Sequence, residues 1–142
     1  MASAKIAYLD TNAIIRFVES EDEGLLFLFE KAASGQLRLI TSELTLAEVL
    51  VSPLKEGDAK PAEIYEEFLT DGTSLEVRPV DRATLRKSAQ IRATLGNKGP
   101  DAIHIATALL ADCSILVSSD QRLRLPSGLA QVGLDHIRDL DR

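Results

Sequence analysis

Short apolar runs alternate along the chain with segments whose apolar positions recur every three or four residues. Residues 6–9 read as a buried strand that ends at Asp10. The spacing of Ala13, Ile14, Phe17 and Val18 predicts a short helix. Ser20-Glu21-Asp22-Glu23 has capping-box spacing, which predicts a second helix carrying Leu25, Leu26, Phe29 and Ala32 and ending at Gly35. Residues 37–41 form a second strand pattern, followed by a helix through Leu44, Ala47, Val49 and Leu50. Residues 53–60 break that pattern, and Pro61 is placed to start a helix bearing Ile64, Tyr65, Phe68 and Leu69. A third strand is expected over 75–77, and Asp81 caps a helix running to Leu95. After a loop over 96–99, Pro100 leads into a helix over 101–111; strands over 114–118 and 129–132 complete the pattern. Apolar strands alternating with helices describe an α/β protein, a parallel sheet of about five strands with helices on its faces.

Composition narrows the class. With 142 residues, and no repeat or linker, one domain over 1–142 is expected. Hydrophobic residues make up 45% and charged residues 27%, as in a globular chain. No signal-peptide pattern precedes the first strand. The most apolar stretch, 102–111, is about half the length of a membrane span. The single cysteine, Cys113, has apolar flanks and reads as a buried thiol in a reducing, cytoplasmic setting. The net charge of −6 argues against a general polyanion binder.

Four acids bear on that last point. Asp10 follows the first strand and Asp120 follows the fourth by way of two serines, and ligands in open α/β sheets bind beyond such strand ends. Asp101 lies in the first turn of the Pro100 helix, and Glu48 interrupts the apolar run Leu46-Ala47-Glu48-Val49-Leu50. Each has a plain alternative: Asp10 as a helix cap, Asp101 as a partner of the helix dipole, Glu48 in a capping box with Thr45, and Asp120 in a solvated turn. Taken together, carboxylates converging at one sheet edge repel by about 3 kcal/mol per pair at ~5 Å and an effective dielectric of ~20. A cation relieves that repulsion. Oxygen-only ligands suit Mg²⁺ or Mn²⁺, and Cys/His zinc spacing is missing.

Tyr8-Leu9-Asp10-Thr11-Asn12, Ser42 with Thr45-Leu46-Ala47-Glu48-Val49-Leu50, Pro100-Asp101-Ala102-Ile103-His104-Ile105-Ala106-Thr107-Ala108, and Val117-Ser118-Ser119-Asp120 resemble, in order, the motifs of PIN-domain ribonucleases, most of all the VapC-type toxins of toxin–antitoxin pairs. The resemblance implies a three-layer αβα sandwich and RNA hydrolysis dependent on one or two Mg²⁺ or Mn²⁺ ions, leaving a 5′-phosphate and a 3′-hydroxyl. It implies Asp10, Glu48, Asp101 and Asp120 as catalytic metal ligands, with Thr11, Asn12 and Ser118 as supporting polar groups. It also implies an antitoxin partner, which inserts a basic side chain among the acids, and a second copy of the chain. Ser118-Ser119-Asp120 is the loosest match, since the family often has Thr at the first position. Two alternatives stand beside this reading: a silent PIN-like module that binds RNA or protein, and a haloacid-dehalogenase-like phosphohydrolase. The second lacks an acid at Asn12 and any lysine after Lys98.

Charge is unevenly spread. Residues 19–30 hold five acids and no base, and 56–76 hold seven acids against Lys60, while 78–98 hold six bases against Asp81. Arg82, Arg86, Arg92 and Arg122 are candidate RNA contacts, with phosphates as the target. Aromatics are only 4%, with no Trp, so no base-stacking platform is expected. His104 shares a helical face with Asp101 but reads as a packed or hydrogen-bonded structural histidine, and His136 as a surface one. The run Leu25-Leu26-Phe27-Leu28-Phe29 is more apolar than one helix face needs, and part of it is a candidate partner contact.

Overall fold

A computed structural model describes residues 5–72 and 74–141. The elements run β1 (Lys5–Leu9), α1 (Thr11–Ser20), α2 (Glu23–Ala33), β2 (Leu37–Ser42), α3 (Glu43–Glu56), α4 (Ala59–Phe68), β3 (Glu76–Arg78), α5 (Arg82–Leu95), α6 (Gly99–Leu110), β4 (Ile115–Val117) and β5 (Ala130–Val132), then a kinked 3₁₀ segment Leu134–Asp141. All five strands are parallel, in the order β3-β2-β1-β4-β5. The strand order reverses direction between β1 and β4, which makes their carboxyl ends the switch point of the sheet.

The central strands are apolar at consecutive positions because each of their faces meets a different core. Ala7 and Leu9 of β1, Leu37 and Leu39 of β2, and Ile115 and Val117 of β4 join one cluster with Ile14, Leu25, Leu28, Val49 and Tyr65 from α1 to α4. Tyr8, Ile40 and Leu116 point the other way and join Ile91, Ala102, Ile105, Ala106 and Ala108 from α5 and α6. Alternation thus survives within an uninterrupted apolar run. Helices α1 to α4 cover one face and α5 with α6 the other, which is the three-layer arrangement the pattern implied.

Helix starts follow the acids. Asp10, Asp22, Asp58 and Asp81 accept hydrogen bonds from the backbone N–H of Ala13, Leu25, Lys60 and Thr84, at 2.8, 3.0, 3.3 and 2.9 Å. Ser20 does not cap α2, as its spacing predicted; it is the last residue of α1, and Asp22 takes the role. The chain turns between these helices with Glu21 in the left-handed region (φ 50°), leaving Asp22 next to the open N–H groups. The predicted break at Pro53 is also corrected. Helix α3 runs through it to Glu56 and ends at Gly57 (φ 67°). Pro53 lacks one N–H but is buried in the last turn, where its ring faces α4, and that apolar contact offsets the missing bond. Helix α6 starts at Gly99, two residues before the expected point, since Gly99 and Pro100 occupy a first turn whose N–H groups need no partner.

The apolar run in α2 is largely internal. Leu25 and Leu28 are buried, Phe29 stacks on Phe17 with centroids 4.3 Å apart, and Phe27 lies under Lys31 and Arg138; only Leu26 is exposed. The excess over one helix face is taken up by α1, α4 and the 3₁₀ segment, so this run is not a free partner surface. Among the described residues no helix is long and apolar enough to cross a membrane.

Two outcomes test this core. Leu116→Ala should lower the unfolding free energy by about 2–5 kcal/mol in urea, against about 0.5 kcal/mol for Leu26→Ala. Burial pushes the Cys113 thiol up to about 12, so the native chain should not react with Ellman's reagent at pH 8 and should react once unfolded.

Candidate active site

Beyond the carboxyl ends of β1 and β4 lies a cleft of about 190 Å³, lined by Asp10, Thr11, Asn12, Glu48, Asp101, His104, Asp120 and Arg122 over a floor of Ile105, Leu116 and Leu123. All four sequence-predicted acids line it, together with Thr11 and Asn12. Ser118 is fully buried beside it.

Each acid arrives on a different element. Asp10 extends the β1–β4 ladder, its N–H donating to the Val117 carbonyl at 3.3 Å, while its carboxylate caps α1. Glu48 lies halfway along α3, and Asp101 sits in the first turn of α6. Asp120 sits in the turn after β4, where its N–H donates to the Ser118 hydroxyl oxygen at 3.1 Å. The Ser118 hydroxyl also helps to hold the Asp10 pKa down, so one buried serine acts on two of the acids.

Their surroundings divide the acids into two pairs. Burial raises the pKa of Asp10, against the hydrogen bonds of Ser118 and Ala13. Burial also raises that of Asp101, with the Asp120 charge adding to it. Glu48 is held below the usual carboxylate range, first by its hydrogen bond to His104. Asp120 is held low by Arg122, whose Nε and Nη2 reach its two oxygens at 3.0 and 3.2 Å. Asp101 makes no side-chain hydrogen bond among the described residues, and neither it nor Asp10 forms a close ion pair there, although Arg122 acts on Asp101 across the cleft.

His104 is buried and hydrogen-bonded, but its partner is a site acid. Nε2 lies 2.6 Å from Glu48 Oε1 and Nδ1 lies 2.5 Å from the Tyr8 hydroxyl. Thr11 Oγ1 donates to the same Glu48 oxygen at 2.7 Å.

The loop carrying Asp120 is held from both sides by residues that the sequence pattern did not single out. Asn97 is buried between α5 and α6; it donates from Nδ2 to the Arg124 carbonyl at 2.8 Å and accepts from the Arg124 N–H at 3.0 Å. Gln131 Nε2 donates to the carbonyls of Ser118 and Asp120 at 2.8 and 2.9 Å. In sequence Asn97 is a turn residue between two glycines and Gln131 a polar position in an edge strand, and nothing in either pattern points at the other end of its bond.

The candidate arginines separate. Arg122 lines the cleft, and the Arg92 guanidinium reaches toward Gly99, two residues from Asp101. Lys98 acts electrostatically on Asp120. Arg82 and Arg86 lie at the opposite end of the α5–α6 hairpin, where the start of α5 meets Thr107, Leu110 and Ala111. At ~1.5 Å per residue, that end of α6 is about 15 Å from Asp101.

These features define an α/β protein with an acidic, oxygen-lined site at the switch point of a parallel sheet. A PIN-domain sequence profile matches residues 7–128, and the chain belongs to the PIN-domain family. That assignment removes the haloacid-dehalogenase alternative. No curated protein is significantly similar to the chain in sequence. Its fold is similar to a chain of VapBC2 from Rickettsia felis, crystallised with a DNA fragment from the promoter (TM-score 0.75, 18% identity, covering 92% of this chain and 99% of that one). It is similar also to one in DNA-bound VapBC from Salmonella typhimurium (TM-score 0.74, 24% identity, 92% and 98% covered). A toxin–antitoxin complex from Klebsiella pneumoniae provides a third likeness (TM-score 0.65, 21% identity, 87% and 94% covered). At these identities the likeness is one of fold.

Asn97→Ala should cost about 1–3 kcal/mol, because it leaves buried partners unpaired. It should also speed hydrogen exchange at the Arg124 amide, read by NMR against an unchanged core.

Proposed function

We propose that the chain is a divalent-metal-dependent endoribonuclease of the VapC kind, the toxin of a toxin–antitoxin pair in the cytoplasm. The observation that carries this reading is the meeting of four carboxylates, from four elements, in one cleft at the switch point.

Mg²⁺ or Mn²⁺ fits the chemistry of that donor set, which offers hard oxygens and no thiolate, in a cleft where Asp10 and Asp101 form no close ion pair among the described residues. The residues to hold one or two ions are Asp10, Glu48, Asp101 and Asp120. They do not form a closed cage: among the described residues no three acidic, imidazole or thiol groups lie together as a metal site. Asp120 faces Arg122, and Glu48 has one oxygen turned to His104. When bound, the cation supplies Lewis-acid activation of water and neutralises charge on the phosphate.

The chain's own groups do the rest. The Ala13 N–H fixes one oxygen of Asp10 at the edge of the cleft. Thr11 and His104 fix Glu48. Ile105, Leu116 and Leu123 keep the floor apolar, which strengthens every charge interaction above it. Arg122 in the cleft offers a cationic group to RNA phosphates, with Lys98 and Arg92 following near the start of α6, and Asn12 and Ser118 add polar support. The far placement of Arg82 and Arg86 leaves them, at most, to an extended strand of substrate.

A second cleft, of about 520 Å³, runs between α1, α3 and α4, lined by Ile15, Val18, Val49, Pro53, Ile64 and Tyr65, and it shares Glu48 with the acidic one. An apolar antitoxin segment seated there delivers a basic side chain to the acids, a reading supported by the likeness to toxin–antitoxin complexes. A second copy of the chain is the other expected partner; a monomeric mass in light scattering removes it.

Purified chain should cut RNA in Mg²⁺ or Mn²⁺ and stop in EDTA. Asp10→Asn and Asp101→Asn should each bring cleavage below detection with unchanged circular dichroism. Cleavage at the wild-type rate by either variant overturns the site. A wild-type chain that binds RNA without cutting it in either metal establishes the silent-module alternative.

A further inference from the structure

We propose that His104 is a positioning residue that limits Glu48 to one oxygen for a divalent cation, and so biases the site toward Mg²⁺ and Mn²⁺ over Ca²⁺. This rests on the metal-dependent reading above and concerns how the chain selects the ion.

The geometry is a chain of hydrogen bonds from the middle of the sheet to the cleft. Tyr8, on the central strand, is fully buried, and burial holds its phenol pKa well above the ordinary value. Its hydroxyl meets His104 Nδ1 at 2.5 Å, and His104 Nε2 meets Glu48 Oε1 at 2.6 Å. A carboxylate only accepts, so Nε2 carries the proton of that bond, and in the neutral ring Nδ1 accepts from the tyrosine. Thr11 Oγ1 donates to the same Oε1 at 2.7 Å. Two donors therefore converge on Oε1, while Oε2 makes no hydrogen bond among the described residues.

A histidine serving only the core would have its ring nitrogens met by backbone or by other buried groups. Here one nitrogen is anchored on the sheet and the other is aimed at an acid of the cleft. The consequence is stereochemical. Ca²⁺ takes six to eight oxygens at roughly 2.3–2.6 Å and often uses both oxygens of a carboxylate, whereas Mg²⁺ demands octahedral geometry at about 2.0–2.1 Å. With Oε1 held, Glu48 cannot swing to offer both. Partners behind a ligand of this kind typically change metal affinity by about 10–100-fold when removed.

Isothermal titration with Mn²⁺ and with Ca²⁺ tests this on the whole chain, with no RNA present. The variants are Asp101→Asn, His104→Asn and His104→Gln. A glutamine amide places an N–H near the position of Nε2 and reaches Glu48; an asparagine amide reaches Tyr8 but falls short of Glu48. Wild type should prefer Mn²⁺, and D101N should lose binding. H104N should lose about 10-fold or more in Mn²⁺ affinity, with the Mn²⁺-to-Ca²⁺ preference falling, and H104Q should keep most of both. A purely structural role moves stability in both variants and leaves the preference alone. If H104N melts below the titration temperature, Tyr8→Phe replaces it, since it unanchors the ring while keeping the aromatic core. Wild-type affinity and preference in a folded H104N, or in Y8F where that stands in, overturn the role of His104 while D101N still shows the site. Absence of Mn²⁺ binding in wild type overturns the metal reading, and this proposal with it.

Discussion

Crowding of negative charge at one sheet edge is the constraint to which the rest of this molecule answers. Two carboxylates brought to ~5 Å at an effective dielectric of ~20 would repel by about 3 kcal/mol, so acids that share a cleft need local partners. The fold offsets it locally. Arg122 lies against Asp120, the Ala13 N–H and the Ser118 hydroxyl meet Asp10, and His104 with Thr11 meets Glu48. Asp101 sits in the first turn of α6, where the helix N-terminus favours a negative charge and Arg122 and His104 act on it across the cleft. A cleft arranged in this way is tolerable without a cation.

The same constraint explains why the strands are so uniformly apolar. Asp10 and Asp120 can stand at the ends of β1 and β4 only because those strands are anchored on both faces. Ala7 and Leu9 bind one layer and Tyr8 the other, and Val117 and Leu116 repeat the division. Alternation too short to see as a two-residue period in sequence is visible as soon as the two cores are separated. The acids were legible from position: Asp10 and Asp120 follow strands, Glu48 interrupts an apolar helix and Asp101 opens one. Their bracing was not. Asn97 and Arg124 are 27 residues apart, Glu48 and His104 are 56 apart, and each bond needs both ends placed before it can be recognised.

Local signals misled where two were available within a few residues. Ser20 and Asp22 both suit a helix start, and the turn at Glu21 decided between them. Pro53 suits a break in an exposed helix, but burial against α4 outweighed the lost bond. The basic stretch 78–98 looked like one approach to Asp101 because it leads there in sequence. A helical hairpin reverses direction, however, so only its later residues are carried toward the start of α6, where Arg92 reaches Gly99 and Lys98 acts on Asp120. The net charge of −6 is correspondingly a poor guide to what the cleft presents, since acids line its interior and cations stand at its rim.

The central strand links these observations. Tyr8 fills the α5–α6 core with its ring, passes its hydroxyl to His104, and through it fixes an acid on α3, on the opposite layer. Two and three residues further along the same segment stand Asp10, which caps α1, and Thr11, which meets Glu48 directly. Four consecutive residues from Tyr8 thus contribute a core ring, a core aliphatic, a site acid and a brace for another acid. Because β1 has a neighbour on each side and a core on each face, any displacement of it shifts all four together. The arrangement of the cleft follows from placing its reference point on the central strand of the sheet, with Ser118 at the end of β4 bonded to the N–H of the loop acid Asp120.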